Sequence, residues 1–428
     1  MNKPEKAISN ARWVMLGMCF LGTTINYIDR ANLGVAAPLI QHELGLGPAA
    51  LGVALGAFFW TYAVMQMPSG WLVDRFGARA MYATVVVLWS LFTMATAAAR
   101  GLATLIGARL LLGVGEAGAY PTNAKVTGLW FPTRERALAS AIFDTGSRVG
   151  TALSVPIVTV IIVTMGWRAS FIITGLLGFI WLVAWLAIYR NPGAADVAFA
   201  RSGEAETATP ETEDRIRWID LFRYRTLLGM MLGAFCFNFA NYFFLTWFPT
   251  YLIQARGLSL PSVGMFGGLP ALCAIPAGPL GGWVSDSLVR AGWSLTRARK
   301  TCLVGGMLVS TSITLAAFVP SAAVAIALFC LAFASLAFTN ASVWSLPADV
   351  APSKGQIASI AGIQNFASNF AGICIATFTG VMVALTHGSF VVPLVVGGII
   401  LVIGAASYLF IVGQIRPLPI LPKSRPAT

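Results

Sequence analysis

Residues 50–79 read ALGVALGAFFWTYAVMQMPSGWLVDRFGAR. The first part is an apolar run of the length needed to cross a hydrocarbon layer, about 20 residues. It closes on Gly70-Trp-Leu-Val-Asp74, with Arg75 and Arg79 behind it. In the second half of the chain another apolar run, 260–289, closes on Gly282-Trp-Val-Ser-Asp286, followed by Arg290. A further pair of echoes joins Pro132-Thr-Arg134 and Ala139-Ser140 to Pro352-Ser-Lys354 and Ala358-Ser359. Two halves therefore repeat in the same order, each built from apolar spans.

Composition says what solvent those spans need. Of 428 residues, 57% are hydrophobic and only 10% charged, with a mean hydropathy of +0.78. A soluble domain carries about 25% charged residues, so lipid is the expected surroundings. The 43 glycines and 22 prolines fit a membrane bundle, where neighbouring helices satisfy freed backbone groups and small residues allow close approach. Spanning runs are expected at 13–40, 50–72, 80–99, 102–130, 136–165 and 168–190, then at 224–254, 260–289, 300–319, 322–349, 355–386 and 391–413. Between the two sets lies a polar gap holding Glu204, Glu206, Glu211, Glu213, Asp214, Arg215 and Arg217. The predicted fold class is an all-α polytopic membrane protein of twelve helices in two pseudo-symmetric six-helix bundles. The expected bundles are 1–190 and 224–428, with 191–223 as a cytoplasmic linker. Repeated halves suit a carrier that rocks about a substrate held at the midplane.

The net charge of +12 does not point to nucleic acid, because the basic residues form short clusters between apolar runs. With both termini and the gap placed inside, 21 of the 28 Lys and Arg residues are cytoplasmic. Opposite loops hold Arg100, Arg168 and Arg256, and the spans hold Arg30, Arg109, Lys125 and Arg148. That is a strong positive-inside bias. His42 and His387 fall in outward loops. Six cysteines lie in apolar segments without paired spacing, so they read as core residues. No metal or cofactor is expected, nor a cleaved leader: the first apolar run leads to Asp29-Arg30, not to a small-residue cleavage site. Gly113-Val-Gly115-Glu-Ala-Gly118 matches a dinucleotide fingerprint in form, but no strand precedes it and close helix packing explains it better.

Charges inside spans carry the functional signal. Asp29, Arg30, Arg109 and Glu116 stand there, and each costs at least about 2.5–3.5 kcal/mol near the bilayer centre. Arg109 and Glu116 are two turns apart and share a face; Tyr27 and Arg30 share another. Asp29 is turned about 100° from Arg30. The expected arrangement sets Asp29 near Arg109 and sends Arg30 into the cavity toward an anion, which its planar fork can grip bidentately. With no histidine in the spans, carboxylates must carry any proton. Burial favours a protonated carboxyl and a nearby arginine disfavours it, so a carboxylate whose arginine is borrowed by substrate would take up a proton. Asp29 and Glu116 are the candidates. Asp144 and Arg148, four apart, either pair with each other or leave Arg148 as a second anion ligand suited to a dicarboxylate. Lys125 and Asp349 read as snorkelling or gate residues. The clusters Asp74, Arg75, Arg79 and Asp286, Arg290 read as topology and gate-side salt bridges that bias the inward-closed state. Trp60, Trp247 and Trp344 read as packing or belt aromatics; Tyr62, ahead of Gln66, is the better cavity candidate.

Several motifs resemble a known family. Gly70–Arg79 resembles the loop signature of the major facilitator superfamily. Asn26-Tyr-Ile-Asp-Arg-Ala-Asn-Leu33, Arg109-Leu-Leu-Leu-Gly-Val-Gly-Glu116 and Leu245-Thr-Trp-Phe-Pro-Thr-Tyr251 look like the anion:cation symporters within it, above all the bacterial galactonate, hexuronate and glucarate proton symporters. The resemblance implies that Tyr27, Arg30 and Tyr62 bind a sugar acid, that Asp29 and Glu116 couple protons with Arg109 between them, and that Ser345 and Asn365, with Gln364 beside them, are polar substrate contacts. Where galactonate carriers have a glutamine in the fifth span, this chain has Ser147 and then Arg148. That leaves room for an aldarate or another dicarboxylate.

The expected function is proton-coupled import of a small organic anion, a sugar acid first, by a functional monomer in a bacterial inner membrane with both termini cytoplasmic. The alternative is a symporter or exchanger of another carboxylate such as tartrate, phthalate or an amino-acid-like anion. An embedded enzyme is disfavoured, because no metal-ligand cluster, nucleophile elbow or P-loop spacing occurs.

Overall fold

The computed structural model describes residues 3–200, 218–352 and 356–419. The linker charges from Glu204 to Arg217 and Lys354 of the second echo lie outside the described residues. Seventeen α-helices follow in order: α1 Lys3–Glu43, α2 Pro48–Phe76, α3 Ala78–Thr96, α4 Leu102–Glu116, α5 Ala119–Trp130, α6 Thr133–Met165, α7 Trp167–Ile188, α8 Ala194–Ala200, α9 Arg225–Thr246, α10 Phe248–Gln254, α11 Leu260–Phe266, α12 Leu269–Arg290, α13 Leu295–Ser310, α14 Ser312–Leu315, α15 Ala322–Val350, α16 Ile357–Leu385 and α17 Val391–Ala406. A 3-10 turn, Trp218–Arg223, precedes α9, and a π-helical turn, Ser407–Ile411, ends the last span.

Among the described residues, ten segments are long and apolar enough to cross a membrane. Their exposed faces are apolar too. In α7, whose most apolar window has a mean hydropathy of 2.4, only a third of that window is buried, and Ile180 and Val183 are 66% and 70% exposed. Only lipid makes such a surface tolerable. The other two expected spans are present as helices that fall outside this set. Helix α1 runs 41 residues with Asp29 and Arg30 inside it, and α13 is a 16-residue helix separated from α14 at Thr311.

Besides the 300–319 run, divided at Thr311, three expected spans are broken helices. The 102–130 run divides after Glu116, where Ala117 and Gly118 separate α4 from α5. The 224–254 run divides at Trp247, ahead of Pro249, which stands in the first turn of α10 where a missing N–H costs nothing. The 260–289 run divides at Gly267-Gly268. Sharp turns elsewhere rest on glycines with left-handed backbone: Gly77 (φ 80°) joins α2 to α3 and Gly166 (φ 86°) joins α6 to α7.

The described residues group into two compact units. One gathers those within Met1–Ala208, Tyr242–Ile275 and Gly372–Pro393; the other those within Thr209–Asn241, Pro276–Ala371 and Leu394–Thr428. In the first, α1 packs on α6, α2 on α4 and α3 on α7. Small residues set these distances. A Cβ on Gly113 would stand 2.3 Å from the Phe58 carbonyl oxygen, and one on Gly150 would stand 2.3 Å from that of Thr24. Gly113, Gly115 and Gly118 each meet α2 or α3, which gives the apparent nucleotide fingerprint its packing role. An aromatic stack, Tyr82, Trp181, Trp185 and Tyr189, ties α3 to α7.

Two clasps finish the ends of this unit. At one end Arg12 pairs with Glu135 at 3.0 Å and lies over the Phe131 and Phe199 rings. There the start of the connector is ordered as α8, whose Asp196 is buried, pairs with Arg190 at 2.7 Å and accepts from the Gly193 N–H. At the other end Glu43 takes hydrogen bonds from Trp167 Nε1 and Arg168, which hold its carboxyl below the usual carboxylate range. His42 sits in the last turn of α1 and not in a loop. In the second unit α13 packs on α15 and also on the π-turn. Cys273 is exposed, contrary to a core role for every cysteine.

Candidate functional site

Helices α1 and α4 bring four charged side chains together in the interior of the first unit. Asp29 and Glu116 are fully buried, and Arg30 and Arg109 are 4% exposed. Arg30 Nε donates to Glu116 Oε2 at 2.5 Å. The Arg30 guanidinium is caged by rings, 4.3 Å from the Tyr62 centroid, 4.7 Å from Phe58 and 5.0 Å from Tyr27. Phe58 and Tyr62, one turn apart on α2, stack at 5.0 Å, and Phe58 also lies under Arg109 at 5.4 Å. An arginine held over ring faces gains cation–π attraction that grows as water is removed.

This corrects the expected arrangement. Arg30 is not a free cation aimed at an anion; it is committed to Glu116. Asp29 does lie near Arg109, as expected, but no hydrogen bond joins the two. Neither Asp29 oxygen meets a donor in bonding geometry, although the Thr174 hydroxyl lies alongside and Glu116 and Arg109 are its charged neighbours. Also lacking partners are Arg109 Nε and Nη1, Arg30 Nη2, Glu116 Oε1 and both side-chain polar atoms of Asn26. Groups of this kind are costly to bury without partners. The cluster thus keeps two arginine edges and three carboxylate oxygens open, enough to bind an anion and to hold protons.

A polar chain leads away from the cage. Tyr120 lies beside Tyr27, and the Tyr120 hydroxyl donates to Asp144 Oδ1 at 3.0 Å. Asp144 Oδ2 takes Arg148 Nη1 at 3.2 Å, so these two pair, as their spacing allows. Ser147 turns its hydroxyl to the Asp144 carbonyl.

The second unit places its expected residues in a neutral setting. Ser345 donates to the Ser342 carbonyl, Gln364 Nε2 donates to the Val343 carbonyl at 3.0 Å, and Asn365 accepts from Asn369. Its charges stand toward helix ends. Arg299 Nε binds Asp349 Oδ2 at 3.0 Å and Arg299 Nη1 approaches Asp286 at 3.4 Å, while Arg290 reaches Ser287. In the first unit Asp74 pairs with Lys125 at 3.1 Å, Arg79 donates to the Leu186 carbonyl, and Arg75 lies over Trp71 and Phe76. The expected Asp74–Arg pair is therefore an Asp74–Lys125 pair. Trp60 and Trp344 are exposed, as belt residues would be, but Trp247 is buried and donates to the Ala376 carbonyl.

Sequence reasoning missed Phe58, Asn26, Tyr120 and Tyr242. Phe58 was within reach through its one-turn spacing from Tyr62. Tyr242 packs on Phe59 at 4.5 Å and borders Arg30 and Tyr27, with no local signal to reveal it. Nothing in the sequence around Arg299 marks its bridge to Asp286 and Asp349.

The sequence model of the Major Facilitator Superfamily matches residues 19–377. The chain belongs to this family. It is a multi-pass membrane transporter and not an enzyme. Among curated relatives, the "Probable galactarate/D-glucarate transporter GudP" of Bacillus subtilis is 35% identical, with 96% of this chain and 94% of the relative covered. The "D-galactonate transporter" of Escherichia coli is 36% identical, with 95% and 96% covered. The "Probable sulfoacetate transporter SauU" of Cupriavidus necator is 33% identical, with 94% of each covered. The fold matches a bacterial homologue of the human lysosomal transporter Spinster with a TM-score of 0.78 at 19% identity, covering 96% of this chain and 98% of that one. It matches a D-xylose-proton symporter with a TM-score of 0.75 at 15% identity, covering 95% and 99%. Twelve helices in two repeated halves are the major facilitator architecture, and the broken and charged helices of this chain fit within it.

Proposed function

We propose that this major facilitator imports a sugar acid (an aldonate, hexuronate or aldarate) together with protons, by alternating access between two six-helix bundles, 1–190 and 224–428, joined by the 191–223 linker. The protein works as a monomer in a bacterial inner membrane with both termini in the cytoplasm. The observation that carries the reading is the Arg30–Glu116 pair, buried at 2.5 Å within a cage of Tyr27, Phe58 and Tyr62. A substrate carboxylate offers Arg30 a better partner, because the fork can grip two oxygens where Glu116 takes one nitrogen. Glu116, left buried without its cation, is too costly to keep charged and takes a proton. Binding of the anion and of the proton thus become one event. Asp29, with Arg109 as a charged neighbour, is the second proton carrier. Tyr27 and Tyr62 hold Arg30 and face the sugar hydroxyls, and Ser345, Gln364 and Asn365 supply neutral contacts. The relatives named for galactarate, glucarate and galactonate support the substrate class.

The test is uptake into proteoliposomes under an imposed inward proton gradient, with labelled galactonate, glucuronate, glucarate and tartrate side by side. Gradient-dependent accumulation of a sugar acid supports the proposal. Accumulation of tartrate alone moves the assignment to another carboxylate, and downhill exchange without a response to the gradient removes proton coupling.

A further inference from the structure

The Asp144–Arg148 pair has no part in the charge cluster itself, yet Tyr120, which donates to Asp144, lies beside Tyr27, one ring of the cage around Arg30. Both residues stand well inside α6, and their side chains keep 34% and 16% of their exposure. A charged pair at that depth faces the bundle interior or water and not lipid. Gly146 and Gly150 flank Arg148 and press α6 against α1, where a Cβ on Gly150 would also stand 2.9 Å from Tyr27 Cβ.

The pairing is end-on. Only Nη1 of Arg148 contacts Asp144, through one oxygen, so the two-nitrogen edge that grips carboxylates most firmly is not used. A part-exposed pair four residues apart on one helix is also weak. Asp144 has a second partner in Tyr120, which can keep it when Arg148 lets go.

We propose that Asp144 is a built-in counter-anion occupying a second anion subsite on Arg148, and that this subsite receives the distal negative group of a dianionic substrate, a sugar acid with a carboxylate at each end. The inference rests on the sugar-acid reading above and sharpens it. The proximal carboxylate takes Arg30; the distal one displaces Asp144 onto Tyr120 and grips Arg148 along its fork. A monoanion leaves the Asp144–Arg148 pair closed. Arg148 therefore sets specificity between one charge and two.

The experiment compares uptake of labelled glucarate and galactonate by the full chain in proteoliposomes, for the wild type, Arg148→Gln, Asp144→Asn and the double exchange Asp144→Arg/Arg148→Asp. Losing a charged bidentate contact lowers the glucarate-to-galactonate ratio of kcat/KM on the order of tenfold to a hundredfold in Arg148→Gln. Asp144→Asn raises that ratio. The double exchange restores an ion pair and a wild-type Tm but leaves the ratio low. Equal losses for both substrates, or recovery of the ratio in the double exchange, overturn the subsite and make the pair structural. Wild-type uptake of galactonate without glucarate overturns the subsite alone. Uptake of neither overturns the sugar-acid reading, and the subsite falls with it.

Discussion

The two units treat polar groups differently. In the first, two arginines and two carboxylates are packed into the interior, and several of their atoms have no hydrogen-bond partner. In the second, the interior polar residues are neutral: Ser342, Gln364, Ser368 and Asn369 mostly bond to nearby backbone, and the charges Asp286, Arg299 and Asp349 keep some contact with solvent near helix ends. Buried charges can change their protonation when a ligand arrives; neutral amides can only read its shape. Buried charge is thus concentrated on α1 and α4 of the first unit, and the neutral interior amides stand on α16 in the second.

That contrast can be broken experimentally, most strongly at Glu116. Glu116→Gln leaves Arg30 buried without a counter-charge, a loss of about 3–5 kcal/mol for a broken buried pair. Proton-driven accumulation is expected to vanish, while counterflow of substrate persists, and thermal unfolding in detergent reports the stability loss. Full gradient-driven accumulation in this variant would remove Glu116 from the coupling mechanism.

Arg30→Lys keeps the charge but loses the fork and the stacking on three rings. Substrate affinity should weaken on the order of tenfold to a hundredfold, read as KM for uptake; an unchanged KM would rule out a bidentate grip. Tyr62→Leu removes the ring nearest the guanidinium, and roughly 1–2 kcal/mol of cation–π attraction with it, for about a tenfold rise in KM.

On the neutral side the effects shrink. Gln364→Leu should cost about 1 kcal/mol, visible as a few-fold change in KM with the proton-to-substrate ratio unaltered. If that ratio moved, the contrast drawn between the two units would be wrong. Arg299→Gln frees Asp286 and Asp349 from a part-exposed bridge and should lower stability by less than about 1 kcal/mol, measured as a small drop in Tm.

Much of this was legible before any coordinates. The spans and the four intramembrane charges follow from hydropathy and from the cost of burying an ion. Partner choice was not legible. Helical spacing places Arg109 and Glu116 on one face of α4, but which of them meets Arg30 depends on how α1 and α4 lie against each other. Glycine contacts at Gly113 and Gly150 help set that, together with side chains far away in sequence. The breaks after Glu116 and at Gly267-Gly268 hid for a related reason: hydropathy averages over a window and passes through a two-residue interruption. Tyr242 gave no signal because its neighbours arrive only through tertiary packing.

The clasp around Arg12, Glu135, Arg190 and Asp196 bears on how the protein is made. Every group in it, with the rings of Trp130, Phe131 and Phe199 that it covers, belongs to the first 200 residues. The opening helices can therefore be fastened at that end during synthesis, before α9 has left the ribosome. The later residues then meet a first segment whose one end is already fastened.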